Sequence, residues 1–140
     1  MTFSKINQKN IIDNLGFEQL NEVQKTTIKA AEKNYHLMLV APTGSGKTAA
    51  YLLSIISKIE DKQGVQALIL APTRELVIQI ESVLKQMKLP FKVNSCYGGH
   101  KFSIERQNFT SPPTVLVGTP GRIQDHIQRE TFDTTNITQL

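Results

Sequence analysis

Eight consecutive residues, Ala41-Pro42-Thr43-Gly44-Ser45-Gly46-Lys47-Thr48, constrain this chain more than any other stretch. They follow a short apolar run, His36 to Val40, and precede a helical pattern in which Ala49, Leu52, Leu53, Ile56 and Ile59 recur at three- and four-residue steps. The stretch fits G-x-x-x-x-G-K-[ST], except that Ala41 stands at the first glycine. Gly44 and Gly46 let the backbone curl so that successive N–H groups can face phosphate oxygens. The helix that follows adds the positive end of its dipole. Lys47 is placed for the β- and γ-phosphates and the Thr48 hydroxyl for Mg²⁺. A glycine-rich turn with a chance lysine is the bland alternative, and the strand-before, helix-after context argues against it. A dinucleotide site would need neither Lys47 nor Thr48. The expectation is a nucleoside triphosphate with Mg²⁺, bound by Thr43, Gly44, Ser45, Gly46, Lys47 and Thr48, with Lys47 and Thr48 serving the chemistry.

The same strand-then-turn grammar recurs. Ala67 to Leu70 ends at Ala71-Pro72, Thr114 to Val117 ends at Gly118-Thr119-Pro120, and Phe91 to Cys96 is a weaker fourth run. Runs apolar on both faces suit a covered parallel sheet. Helical patterns lie between them: about Asn10 to Leu15, around Leu20 to Ala31, Leu76 to Met87, about Phe102 to Phe109, and from Pro120 through Ile127. Thr119 as N-cap with Pro120 at the first helical position is a start signal. This alternation predicts an α/β fold with a mostly parallel sheet flanked by helices. Ligands of such sheets gather beyond the carboxyl ends of the strands. The turns after Val40, Leu70, Cys96 and Val117 are therefore expected on one edge.

Composition narrows the class further. At 140 residues and 39% hydrophobic content the chain suits one domain. No apolar run nears the roughly 18 residues of a membrane span, and the first sixteen residues hold no signal-peptide core. The single cysteine, Cys96, excludes an internal disulfide and fits a reducing cytoplasm. A formal charge of +4 permits an anionic partner without specifying one.

Four motifs occur in order: Ala41 to Thr48; Pro72-Thr73-Arg74-Glu75-Leu76; Gly98-Gly99; and Thr119-Pro120-Gly121-Arg122. Together they resemble the first RecA-like domain of DEAD-box ATP-dependent RNA helicases, over about Gly16 to Ile127. The resemblance implies ATP as the nucleotide. It also implies an RNA strand gripped through its backbone by Pro72, Thr73, Arg74, Gly98, Gly99, Thr119, Pro120, Gly121 and Arg122. The physics agrees with that assignment. Thr73 and Thr119 stand at helix starts, where hydroxyl and N–H donors point outward. The glycine doublet admits a close backbone, and Arg74 and Arg122 offer forked donors to phosphate. Taken singly, each has a plainer reading: a helix cap, a turn, or an arginine paired with a nearby carboxylate.

Gly16 to Gln24 resembles the family's adenine-recognising Q motif, with Glu22 where a proline is usual. The Gln24 amide can donate and accept at once, which suits the N6 and N7 edge of adenine. Phe3 is the candidate for stacking on the base. The plainer readings are a solvated helix residue for Gln24 and a core or staple residue for Phe17. His36, His100 and His126 show no metal-ligand spacing and are expected at ordinary surface or turn positions. Cys96 and Tyr97 are expected to pack.

The Asp-Glu-Ala-Asp strand that the resemblance calls for after Arg122 does not occur here; Asp125, Glu130 and Asp133 follow no apolar run. The expectation is one partial RecA-like domain over 1–140, cut before the Walker B strand. It divides into a Q-motif-like helical lead-in over 1–34 and a P-loop α/β core over 35–140. Such a piece of a longer RNA helicase would bind nucleotide and RNA, hydrolyse little alone, and need the remainder of the helicase core. The alternatives are a DNA-directed or DExH-type helicase, an inert nucleotide- or RNA-binding module, and a small P-loop kinase.

Overall fold

Sheet strands need neighbours, and three of the four apolar runs find them. The computed structural model describes residues 6–140. Strands β1 (Ala67–Leu70), β2 (Val93–Cys96) and β3 (Val115–Gly118) form a parallel sheet in the order β1-β3-β2. The register pairs Leu70 with Gly118 and Cys96 with Gly118, so all three strands finish level. Backbone bonds carry the ladder into the turns: the Ala71 N–H donates to the Gly118 carbonyl, and the Thr119 N–H to that of Cys96. Beyond β1, the Leu68 N–H reaches the Gln139 carbonyl, and Ala67 makes an isolated parallel bridge with Gln139.

Alternate residues of the strands face opposite cores. Ala67, Ile69, Val115 and Val117 pack with Leu52, Leu53, Ile56, Val77, Ile80, Leu84 and Met87. Leu68, Leu116 and Cys96 pack on the other face with Phe109, Ile123 and Phe132. The first group comes from α3 (Lys47–Ile56) and α4 (Arg74–Gln86), whose apolar residues form one stripe. The second comes from the region of α5 (Phe102–Asn108) and α6 (Pro120–Gln128). Helices α1 (Gln8–Asn14) and α2 (Glu22–Lys33) precede them, and α2 packs against α3. Ile11 of α1 joins the first core, and the Asn14 amide donates to the Met87 carbonyl at 3.1 Å. No helix among the described residues is long and apolar enough to cross a membrane.

The run from His36 to Val40, expected as the strand before the phosphate loop, joins no ladder among the described residues. Met38 is 88% exposed and Val40 85%. An apolar run becomes a strand only beside a partner that satisfies its backbone groups. The neighbouring edge of β1 is met by Gln139 instead. Three of the four expected turns therefore share the sheet edge, and the turn after Val40 follows an unpaired segment.

Helix starts also differ in detail from expectation. Thr73 caps α4 with its side chain, accepting from the Leu76 N–H at 3.2 Å. Thr119 stands at the N-cap of α6 but makes no side-chain cap bond, and Pro120 begins the helix as expected.

Candidate functional site

The loop from Ala41 to Thr48 curls through two left-handed glycines, Gly44 at φ 81° and Gly46 at φ 84°. An L side chain resists that conformation, so both positions favour glycine. The Ser45 N–H and hydroxyl both donate to the Pro42 carbonyl, at 3.2 and 2.6 Å, tightening the turn. Gly46 is the N-cap of α3, and Lys47 and Thr48 occupy its first turn. The Lys47 Nζ bends back to the Ala41 carbonyl at 2.6 Å, which holds a cation inside the curl. This arrangement sets N–H donors, a helix start and an ammonium group around one place, a fit for phosphate. Pro42, Thr43 and Gly44 lie exposed at its mouth.

A second element clamps this loop from behind. Asn21 and Gln24 form a capping box at the start of α2: the Asn21 Oδ1 accepts from the Gln24 N–H, and the Gln24 Oε1 accepts from the Asn21 N–H, both at 2.9 Å. The remaining amide ends reach the phosphate loop. The Asn21 Nδ2 donates to the Ser45 carbonyl at 2.9 Å, and the Gln24 Nε2 to that of Gly46 at 3.5 Å. Gln24 is 3% exposed, so the solvated reading of this residue is overturned. Its amide makes one bond at each end, the Oε1 accepting from the Asn21 N–H and the Nε2 donating to the Gly46 carbonyl. Phe17 is half-buried. Phe3 lies outside the described residues.

The sheet edge gathers the other three turns. Pro72, Thr73 and Arg74 are exposed beyond β1, Gly98 and Gly99 beyond β2, and Pro120 and Gly121 beyond β3. Thr73 gives one lone pair of its oxygen to the helix cap, which leaves its O–H and its second lone pair. Among the described residues Arg74 pairs with no carboxylate; its guanidinium lies 5.4 Å from the Tyr97 ring centroid. Gly99 has φ 94°, and a Cβ there would meet the Arg74 Nη1 at 3.0 Å. Gly98 and Gly121 have open space where a Cβ would point. Tyr97 and Cys96 are buried as expected, and burial together with Glu105 pushes the Cys96 thiol up to about 12.

The paired arginine is Arg122, not Arg74. Its Nε donates to the Glu105 Oε1 at 2.6 Å and its Nη2 to the His100 carbonyl at 2.7 Å. His126 is also corrected: it is fully buried, between Glu105 and Thr131. Sequence reasoning passed over Asn21 and Glu105 and misplaced His126. The N-cap spacing from Asn21 to Gln24 was a usable signal. Nothing in sequence spacing joins Glu105 to residues 17 and 21 positions away.

Comparison with known proteins places the sequence and fold in one family. The model of the DEAD/DEAH box helicase family matches residues 21–139. The ATP-dependent RNA helicase CshA of Listeria monocytogenes is 40% identical over 132 residues, covering 92% of this chain and 25% of that protein. The DEAD-box ATP-dependent RNA helicase CshA of Bacillus cereus is 36% identical over 129 residues, covering 90% of this chain and 25% of its own. The chain thus spans about a quarter of the length of these curated relatives. Among solved structures, a DEAD box protein from Methanococcus jannaschii superposes with a TM-score of 0.81 at 36% identity, over 91% of this chain and 36% of that one.

Proposed function

The chain belongs to the DEAD/DEAH box helicase family, and from that premise we propose that it is the ATP- and RNA-binding part of an ATP-dependent RNA helicase. The observation that carries the nucleotide assignment is the left-handed curl of Gly44 and Gly46, with the Lys47 ammonium drawn inside it. Thr43, Gly44, Ser45 and Gly46 would hold the phosphates through the backbone, Lys47 would neutralise them, and Thr48 would hold Mg²⁺. The bound Mg-nucleotide supplies the phosphoryl group whose transfer drives such enzymes. For that, Lys47 must leave the Ala41 carbonyl, which is a rotation of one flexible side chain. Gln24, whose amide can both donate and accept, is the adenine reader in this proposal.

RNA is the second ligand. Pro72, Thr73, Arg74, Gly98, Gly99, Thr119, Pro120, Gly121 and Arg122 present hydroxyls, open glycines and guanidinium groups along one edge. Such groups bind sugar and phosphate and read no base. Residues 1–34 serve as the lead-in, of which Asn21 and Gln24 clamp the phosphate loop, and 35–140 as the core. Unwinding and sustained hydrolysis require the rest of the helicase core as partner.

Calorimetric titration of the chain with Mg-ADP and Mg-GDP, repeated on Gln24→Ala, tests the nucleotide reading. A preference for ADP that disappears in the variant supports it. Equal binding of both nucleotides by the parent chain removes Gln24 from the site and leaves only the phosphate cradle.

A further inference from the structure

Glu105 is 1% exposed, an unusual place for a carboxylate without a task. It lies on α5, outside every motif of the nucleotide and RNA sites. Its two oxygens collect donors from two separate turns. On Oε1 converge the Arg122 Nε at 2.6 Å and the His126 Nε2 at 3.0 Å. On Oε2 converge the Tyr97 N–H at 3.1 Å and, more loosely, the His100 Nδ1 at 3.6 Å. Tyr97 and His100 flank the glycine doublet, and Arg122 closes the first turn of α6. The Arg122 Nη2 adds a further tie, to the His100 carbonyl.

A metal centre is the competing account, because the Cys96 Sγ, a Glu105 oxygen and a His126 nitrogen lie within 4.8 Å of one another. One fact weighs against it. The Glu105 Oε1, the oxygen beside His126, already bonds the Arg122 guanidinium, whose charge repels a cation. Every buried side-chain polar atom among the described residues already has a partner.

We infer that Glu105 is a positioning residue that fixes Arg122 and the Gly98-Gly99 turn as one rigid phosphate-binding surface. This rests on the RNA reading above. The inference has a chemical signature. Arg122 is fixed through Nε and Nη2, so its Nη1 edge is left for an incoming phosphate. A carboxylate is needed because it accepts at both ends. An amide in its place has one accepting oxygen, and its NH₂ would confront either the Tyr97 N–H or the Arg122 guanidinium. Glutamine can hold one turn or the other, not both.

The test uses the whole chain in two measurements. Hydrogen exchange of the Arg122 Nε–H, followed by ¹⁵N NMR without RNA, reads the tie itself. Fluorescence anisotropy of a labelled single-stranded oligouridine reads affinity for the parent, Glu105→Gln, Arg122→Ala, Arg122→Lys and the Glu105→Gln/Arg122→Ala double variant. The expected results are a protected Nε–H in the parent that is released in Glu105→Gln, and a roughly tenfold loss of affinity in each single variant. The double variant should lose no more than either single one, because both remove the same held group. Free exchange of Arg122 in the parent, or losses that multiply in the double variant, overturns the role of Glu105. If Glu105→Gln does not fold, Arg122→Lys decides: binding like the parent means that charge alone suffices and refutes the positioning. A parent chain that binds no oligouridine refutes the RNA reading, and this role falls with it; binding with multiplying losses refutes the role alone.

Discussion

Replacing Gly46 with alanine, beside the same exchange at Gly44, isolates the clamp between α2 and the phosphate loop. The two glycines have nearly equal left-handed dihedrals, φ 84° and 81°. Alanine in that region costs about 1–2 kcal/mol wherever it stands. At Gly44 nothing lies within 4 Å of a new Cβ, so that is the whole effect. At Gly46 the Cβ would sit 2.6 Å from the Gln24 Nε2 and 3.2 Å from the Asn21 Nδ2. Both are ends of side chains, and they can swing away only by leaving the Ser45 and Gly46 carbonyls. Each lost bond is worth about 0.5–1.5 kcal/mol. The Asn21 bond is exposed and the Gln24 bond is long, which favours the lower half of that range. Gly46→Ala should therefore cost about 1–2 kcal/mol more than Gly44→Ala. Urea unfolding of the parent and both variants, compared at a common m-value, measures the gap. Equal losses would refute the clamp as a stabilising contact.

Lys47→Ala should abolish tight Mg-nucleotide binding in calorimetry while leaving the circular dichroism spectrum and urea midpoint near the parent's, because among the described residues its ammonium bonds only the Ala41 carbonyl. Alkylation of Cys96 by iodoacetamide near neutral pH should be at least about a hundredfold slower in the native chain than in urea, since burial raises the thiol to about 12; comparable rates would contradict the buried placement. The Asp133 carboxyl is held below its ordinary value by the Thr135 N–H and hydroxyl. Its contribution to stability is present above the unfolded value of about 3.9 and is lost as pH falls through the folded one. Urea midpoints across that acid range should show the parent losing stability relative to Asp133→Asn; parallel curves would count against it.

The sheet was legible where residues alternate between two apolar faces, as in Ala67 to Leu70 and Val115 to Val117. Periodicity reports which way side chains can point, not whether a ladder partner exists. That is why His36 to Val40 read as a strand yet joins no ladder among the described residues. The phosphate loop was legible because its chemistry is contiguous: glycines, lysine and threonine adjoin. The clamp was half legible, since Gln24 was singled out while its N-cap partner Asn21 was not. The hub at Glu105 was hidden because its donors come from two separate segments, the turn after β2 and helix α6, and an acidic residue on a short amphipathic helix looks solvated until α6 covers it. The same burial turned His126 from an expected surface residue into a core one.

The level finish of the three strands works as a ruler. Neighbouring strands lie about 4.8 Å apart, so the turns after Leu70, Gly118 and Cys96 span about 10 Å from first to last. The spatial order places the Thr119 turn in the middle, although it comes last in the chain. On the RNA reading proposed above, an oligonucleotide too short to cross that width would leave an outer turn empty. The footprint at this edge would then be a length set by the spacing of the sheet rather than by the identity of the bases.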